Sequence, residues 1–270
     1  MTSPSPRYAV PAMVSVLATL LVVGCTASES RTEAELEAAS PDLPELGTCR
    51  VLSIDDLPEA TNTDDAVDCA EPHTAETFAV GQLPAAFDDA AYDAEELGAF
   101  AYDTCSEAFM KFLGADESLV LRSLLSWAWF RPTEEAWEKG ARWYRCDVVG
   151  GDETTGRLLP LPETAQGLML GTGDDRYLAC VSGDSVPGAP RVPCTEPHDW
   201  RAVTTIVVGK DKEPYPGDRL VQVVSRDFCD DSVSAWLGYP LRYTFAYTWF
   251  HEAEWKTGNR RSICWAWTTT

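Results

Sequence analysis

The chain has 270 residues, of which 45% are hydrophobic, and its 43 acidic and 21 basic side chains give a formal net charge of −22. A field of that sign repels polyanions at long range, which argues against nucleic acid as a partner and against docking by charge alone on anionic lipids or wall polymers. With ten Trp, nine Tyr and nine Phe, the composition predicts a folded protein with a solvated acidic surface.

The first 24 residues predict an export signal, with Arg7 as the one charge before an apolar run too short for a confident spanning helix. Cys25 ends the stretch Leu-Val-Val-Gly-Cys, which resembles the lipobox of bacterial lipoproteins. The resemblance implies that Cys25 becomes a lipidated N-terminus; an ordinary cleaved signal and an uncleaved anchor are the alternatives. Two or more acyl chains hold a protein stably at a membrane. We therefore expect lipid anchoring at the extracytoplasmic face of the cell membrane.

Two motifs occur twice at closely matched spacing. Trp-x-x-Gly-x-Arg-x-x-x-Cys begins at Trp137 and again at Trp255, and Cys-x-Glu-Pro-His begins at Cys69 and again at Cys194. Such self-similarity marks a duplicated unit. The predicted organisation is a signal peptide (1–24), a lipidated cysteine with a flexible acidic stalk (25–47), module 1 (48–149), a linker (150–175) and module 2 (176–270).

The hydrophobic pattern of module 1 predicts one helix among four strands. The strands fall at 48–54, 74–80, 119–130 and 139–149, and the helix at 90–113, with Gly114 as its stop. One face of the helix is expected to point inward through Tyr92, Leu97, Phe100, Ala101, Cys105, Phe109 and Phe112.

Module 2 repeats this order. Strands are predicted at 176–181, 199–208, 241–250 and 258–267, a loop at 187–193, and a helix from 216 or 217 to about 237. The inward face of this helix is predicted to contain Leu220, Val223, Val224, Phe228 and Cys229. The predicted fold class is α+β, in which each disulfide-stapled module is a small antiparallel sheet with one helix packed on it.

Eight cysteines remain after Cys25, four in each module, and export makes disulfides the default. Equivalent modules that fold alone should be stapled equivalently, which leaves three pairing patterns per module. In the pattern that we favour, the first bridge of each module closes a loop whose length differs between the two copies. A closed loop tolerates such a difference because the entropy cost of closure grows only slowly with loop length. The favoured pairs are Cys49–Cys69, Cys105–Cys146, Cys180–Cys194 and Cys229–Cys264.

His73 and His198 are the first candidate site residues, each two residues after a glutamate. A histidine beside a carboxylate could act as a general base. Because the motif recurs where a disulfide loop enters a strand, we favour a structural role in which imidazole and carboxylate hydrogen-bond the turn; a binding role stays open. Metal binding through Cys-x-x-x-His is disfavoured because no CxxC pair accompanies it. No metal or cofactor is expected.

The second motif supplies Arg142, Arg260, Trp137 and Trp255. Each arginine lies four residues before the motif cysteine, so on a strand both side chains point to the same face. The arginines are therefore expected to point inward and to need a partner. That partner is Glu71 or Glu196, or else a carboxylate ligand. The tryptophans are expected to pack within the lobes, with a sugar-stacking platform as the alternative. The glycines, Gly140 and Gly258, indicate a backbone conformation or a close approach denied to other residues.

No catalytic signature accompanies these motifs: the chain has neither a Gly-x-Ser-x-Gly elbow nor a phosphate-cradling loop, and His251 is its only further histidine. We therefore expect no catalytic residues and a protein that is not an enzyme.

The two motifs, on an acidic chain with a lipobox, resemble the septum-formation domain family of actinobacterial envelope proteins. The resemblance covers about 48–149 and 177–267. It implies an extracytoplasmic, disulfide-bonded domain with a proposed part in division-septum formation, and no catalytic residues to transfer.

Three functions are compatible with this sequence. The favoured one is a non-enzymatic envelope lipoprotein whose modules bind an envelope protein, wall or lipid component near the septum. The second is a ligand-sensing or solute-binding lipoprotein with a site between the lobes near Arg142 and Arg260. The third is an envelope hydrolase that uses His73 or His198.

Overall fold

The computed structural model of the protein describes residues 43–210, 212–256 and 258–268. The predicted signal peptide, the lipidation site Cys25 and most of the predicted stalk lie outside these residues. The described chain forms two antiparallel sheets, and each has one long helix packed against it.

Module 1 is built on a sheet with strand order β1-β2-β4-β3. Its strands are β1 (Cys49–Arg50), β2 (Ala75–Gln82), β3 (Leu125–Phe130) and β4 (Trp143–Asp152). Its helices are the long α1 (Glu95–Leu113) and the short α2 (Glu117–Leu121) and α3 (Glu134–Glu138). A further two-residue strand, β5 (Arg157–Leu158), pairs with the end of β4.

Module 2 has the strand order β7-β6-β8-β10-β9. Its strands are β6 (Ala179–Val181), β7 (Arg191–Pro193), β8 (Trp200–Val207), β9 (Phe245–Thr248) and β10 (Arg261–Trp267). Its helices are α4 (Asp218–Trp236) and the short α5 (Glu252–Lys256). The order β6-β8-β10-β9 matches β1-β2-β4-β3 of module 1, which confirms the predicted duplication of an α+β unit. The predicted loop at 187–193 instead ends in strand β7.

Each module contains two disulfides, and the pairing is the one favoured from the sequence. Cys49–Cys69 and Cys180–Cys194 close loops with sequence separations of 20 and 14. Cys105–Cys146 and Cys229–Cys264 join the long helix to the central strand β4 or β10, with separations of 41 and 35. The sulfurs of the helix-to-strand bridges lie in the hydrophobic core, where these four cysteines are fully buried.

The buried face of α4 differs from the predicted one. Val221, Ser225, Cys229 and Val233 are buried at intervals of four residues, whereas Leu220 and Phe228, predicted to point inward, are 51% and 36% exposed. The helix is rotated by one position because the Cys229 disulfide and a 2.7 Å hydrogen bond between the Ser225 and Ser262 hydroxyls attach it to β10. Because the polar residue Ser225 lies on the buried face, the hydrophobic pattern predicted the wrong face of the helix.

Residues 117–121 form helix α2, where the sequence pattern predicted a strand from 119 onward. The carboxylate of Asp116 caps this helix by accepting a hydrogen bond from the backbone N–H of Leu119 at 2.7 Å. A short apolar run fits a helix or a strand equally well by pattern alone, and here the cap decides. The difference matters because α2 lies against β8 of module 2.

Much of the predicted linker, 150–175, belongs to the folded body. The side chains of Leu161, Ala165 and Met169 are buried in the core beneath α1. The carboxylate of Glu76 on β2 accepts a 2.6 Å hydrogen bond from the backbone N–H of Ala165. The segment therefore completes module 1 and does not simply connect two bodies.

The two modules also share one hydrophobic core. The cluster that holds Phe109 and Cys146 of module 1 also contains Leu178, Cys180 and Val192 of module 2. The modules therefore pack against each other, and residues of both meet at the junction between them.

Candidate functional site

The two motif histidines are structural parts of their turns. His73 and His198 are only 2% and 5% exposed. In each, Nδ1 lies 2.9 or 2.8 Å from the backbone carbonyl oxygen of the glutamate two residues earlier, Glu71 or Glu196. Since a carbonyl only accepts, Nδ1 must donate its proton there. The turn is held by the glutamate backbone and not by the glutamate carboxylate that was expected to take part.

The motif arginines bind backbone carbonyls beside the tryptophan of their own motif. Arg142 donates hydrogen bonds from Nη1 to the carbonyl oxygens of Trp137 (2.7 Å) and Ala141 (2.8 Å). It also donates to the carbonyls of Phe87 (3.3 Å) and Asp88 (2.8 Å). The guanidinium carbon lies 4.0 Å from the centre of the Trp137 ring. The predicted partner, a glutamate of the Cys-x-Glu-Pro-His motif, is therefore wrong for this arginine.

Module 2 repeats this arrangement. Arg260 donates from Nη1 to the carbonyls of Trp255 and Asn259, and its guanidinium carbon lies 3.6 Å from the centre of the Trp255 ring. Here too the partners are backbone carbonyls, not Glu196. The repeated contact shows that the arginine closes the turn after a short helix in both modules.

The motif tryptophans are buried, each with its ring N–H satisfied. Trp137 donates to the carbonyl of Ala90 at 3.1 Å, and Trp255 donates to the carbonyl of Glu213 at 3.2 Å. Both rings are 5% exposed, which leaves no open face for a sugar. These contacts favour the packing role over the stacking platform.

The module junction is lined by paired polar groups. The Arg191 guanidinium of module 2 lies 2.6 Å from the Glu153 carboxylate, and Arg261 lies 2.5 Å from Glu117 on α2. Backbone hydrogen bonds also cross the junction, for example from the N–H of Leu124 to the carbonyl of Tyr177 at 2.8 Å. Sequence reasoning did not find these residues, because neither module's motifs contain them.

A cleft of about 460 Å³ opens at this junction between α1 and β3. We call it the α1 cleft. Its walls include Tyr102 and Met110 from α1, Trp127 from β3 and Val120 from α2, and Arg191 of module 2 lies at its edge. The rings of Tyr102 and Trp127 lie 6.3 Å apart, centre to centre. The volume and the aromatic lining are typical of a binding site.

Strand β3 is the outer strand of its sheet. It pairs with β4 on one side, and no strand pairs with its other edge among the described residues. An open edge offers backbone donors and acceptors to an added strand. The α1 cleft therefore lies beside a strand edge that no other described strand covers.

Neither a metal centre nor a membrane-spanning helix is found in the described ranges. No group of three or more His, Cys, Asp or Glu side chains is placed to hold a metal ion there. No helix within 43–210, 212–256 or 258–268 combines the length and apolar character needed to cross a membrane.

The fold and motifs define a duplicated, disulfide-bonded α+β protein with a cleft at the junction of its modules. The sequence profile described as septum formation matches residues 20–130 and again residues 120–264. The chain therefore belongs to the septum-formation family, in two tandem copies. No curated protein matches the chain, and no solved structure matches it. Family membership and four disulfides agree with an extracytoplasmic location.

Proposed function

We propose that the protein is a non-enzymatic envelope lipoprotein, held by Cys25 at the extracytoplasmic face of the membrane, that binds a partner protein during septum formation. Family membership supports the role in the septum or envelope. The burial of both histidines supports a non-enzymatic role, because His73 and His198 are only 2% and 5% exposed and their imidazoles are shielded from a substrate.

The observation that carries the binding role is the free edge of β3 beside the α1 cleft. An extended peptide can add to this edge through backbone hydrogen bonds, while an apolar side chain of that peptide enters the cleft. Tyr102 and Ser126 are exposed at this site, whereas Trp127 is partly buried. The partner segment is therefore expected to be extended and apolar at one position.

This site differs from the one expected near Arg142 and Arg260. Those arginines hold turns within their own modules, so the solute-binding alternative loses the residues on which it was based. A hydrolase that uses His73 or His198 is likewise disfavoured, because each imidazole is almost fully buried.

The test is capture of partners from envelopes through the lipid-anchored, full-length protein, with Ser126→Trp to fill the cleft and Tyr102→Ala to remove an aromatic wall. Both variants should lose the captured protein and should fail to restore normal septa in a deletion strain. Tyr239→Ala is a matched control because Tyr239 is also an exposed tyrosine, at 75%, but it lies in module 2. Normal septa and unchanged capture with both cleft variants would contradict the proposal. Capture of glycan or lipid alone would show that the ligand of the cleft is not a peptide.

A further inference from the structure

A second pocket lies on the opposite face of α2 from the α1 cleft. It has a volume of about 290 Å³ and is lined by Leu119 of α2, by Arg122 directly after α2, by Leu178, Arg201 and Val203 of module 2, and by Trp236 at the end of α4. Leu119 lies about 160° around the helix from positions 117 and 121, which face the α1 cleft. We call this second pocket the arginine pocket.

The two guanidinium groups of this pocket differ in their partners. Arg201 forms an ion pair with the carboxylate of Asp175. Arg122 donates from Nε to the backbone carbonyl of Ser118 at 3.2 Å, and neither of its Nη atoms has a hydrogen-bond partner among the described residues. One guanidinium thus already holds a carboxylate, and the other has two Nη atoms whose N–H groups have no partner among the described residues.

The charges around Arg122 leave room for one more negative group. Burial, which is the larger effect, and repulsion from Arg201 lower the pKa of Arg122, although Asp116 acts in the opposite direction. Asp116 is engaged as the cap of α2, and Asp175 is paired with Arg201. His198 lies close enough to Asp175 to interact with it. No carboxylate contacts the Nη atoms of Arg122 in the described structure.

From this geometry we propose that the arginine pocket binds a small organic carboxylate with an apolar body. The carboxylate would accept two parallel hydrogen bonds from the Nη atoms of Arg122, the arrangement that a planar guanidinium favours. The apolar body would lie against Leu119, Leu178, Val203 and the Trp236 ring. In a chain of net charge −22, a pocket built around two arginines selects anions locally despite the repulsive overall field.

The binding test uses three probes: 3-methylbutanoate, its uncharged amide, and inorganic phosphate. Nuclear magnetic resonance of the arginine Nε–H groups reports binding at Arg122 directly. The carboxylate should shift the Arg122 signal saturably, with a dissociation constant below about 10 mM. The amide should give no shift, and phosphate should bind at least about tenfold more weakly. A stronger response to phosphate, or none to any probe, would overturn the proposal.

Variants locate the site. Arg122→Gln should weaken carboxylate binding by about tenfold or more, while Arg219→Gln, a change at an exposed arginine of α4, should leave it unchanged. Because Arg122 also bonds α2, Thr172→Trp serves as a second variant that plugs the rim from an exposed position and keeps the arginine. Retained binding in Thr172→Trp would contradict the location. The proposal is independent of the α1 cleft, so partner capture through that cleft can fail without affecting this result.

Discussion

Arg142 lies over the ring of Trp137, with its guanidinium carbon 4.0 Å from the ring centre, and binds the carbonyl oxygen of the same tryptophan at 2.7 Å. The same pair of contacts joins Arg260 to Trp255. A motif that stood out in the sequence as a candidate binding site is therefore a device that closes a turn, once in each module.

Replacing Arg142 by lysine should destabilise the protein although the charge is kept. Lysine cannot stack a planar group on Trp137 or reach several carbonyls from one fork. We expect a loss of about 1–3 kcal/mol in the free energy of unfolding, measured by urea denaturation. Arg219→Lys, at an exposed site, should change the free energy little. Equal stability of the two variants would show that the stacked turn contributes nothing.

The glycine of the same motif allows a test of backbone strain alone. Gly140 has φ of +96°, and a methyl group added there would meet nothing within 4 Å. Gly140→Ala should therefore lose about 1–2 kcal/mol from conformation alone. Gly151→Ala is the matched control, because that site is equally open but its φ is not positive. If the two variants have the same melting temperature, backbone strain at position 140 is not the reason for the glycine.

The helix-to-strand disulfide of module 1 should matter more than the loop disulfide. Cys105–Cys146 closes a separation of 41 residues within the core, whereas Cys49–Cys69 closes 20. Chain entropy alone gives about 4 and 3 kcal/mol, and burial of the first pair adds to the difference. Paired alanine substitutions at each bridge, compared by denaturation under oxidising conditions, check the order. A larger loss at the loop bridge would contradict it.

Weakening the cap of α2 should loosen the module junction. Asp116→Ala removes the 2.7 Å bond to the N–H of Leu119 and should cost about 1 kcal/mol, while Asp116→Asn should restore most of it. Hydrogen exchange should rise at residues 117–124 and on β8, against which the helix packs. Thr133→Ala, which uncaps α3 in the same way, is the control and should leave β8 protected.

Acid should weaken the junction through Glu153. Burial alone would raise the pKa of this carboxyl, but hydrogen bonds from the side chain and backbone of Arg191 outweigh burial and hold the pKa below its ordinary value. A carboxyl with a lowered folded-state pKa stabilises the fold above its unfolded pKa, and the contribution disappears as the pH falls through the folded value. The loss should therefore begin near the ordinary pKa of 4.5 and finish below the folded pKa.

The matching experiment compares Glu153→Gln with the parent protein across pH. The variant should be less stable at pH 7 by up to about 1 kcal/mol, since both partners are partly exposed and screened by solvent. The difference should vanish as the pH falls below the folded-state pKa of Glu153. Glu135→Gln, in an exposed pair with Lys139, should show little difference at either pH. A Glu153→Gln difference that persists at low pH would indicate a cause other than the ion pair.

The duplicated parts of the fold could be predicted because equivalent positions in the two copies can be compared with each other. The repeat identified equivalent cysteines and glycines, which reduced the disulfide patterns to three per module, of which the favoured one is observed, and singled out Gly140 and Gly258, whose φ angles are positive. Features present in one copy lacked that check. Helix α2 depends on the cap by Asp116, and the buried face of α4 depends on Ser225, whose polarity hid it from the hydrophobic pattern.

The arginine pocket could not be predicted because it forms only where the modules meet, and the α1 cleft, lined mostly by module 1, gains one residue of module 2 there. Arg191 reaches the α1 cleft of the other module, and Arg122 shares its pocket with Arg201 across the junction. No spacing in the sequence relates these residues to one another. The conspicuous residues, His73 and Arg142, instead satisfy polar groups within their own turns.

The segment 161–169, which places Leu161, Ala165 and Met169 in the core of module 1, makes the duplication hard to reverse. A cut made at the end of the first repeat would strip away side chains that fill that repeat's own interior. Gene recombination that kept one copy, or exchanged one copy for another, would therefore leave an incomplete body. What began as two interchangeable pieces is now inherited as one.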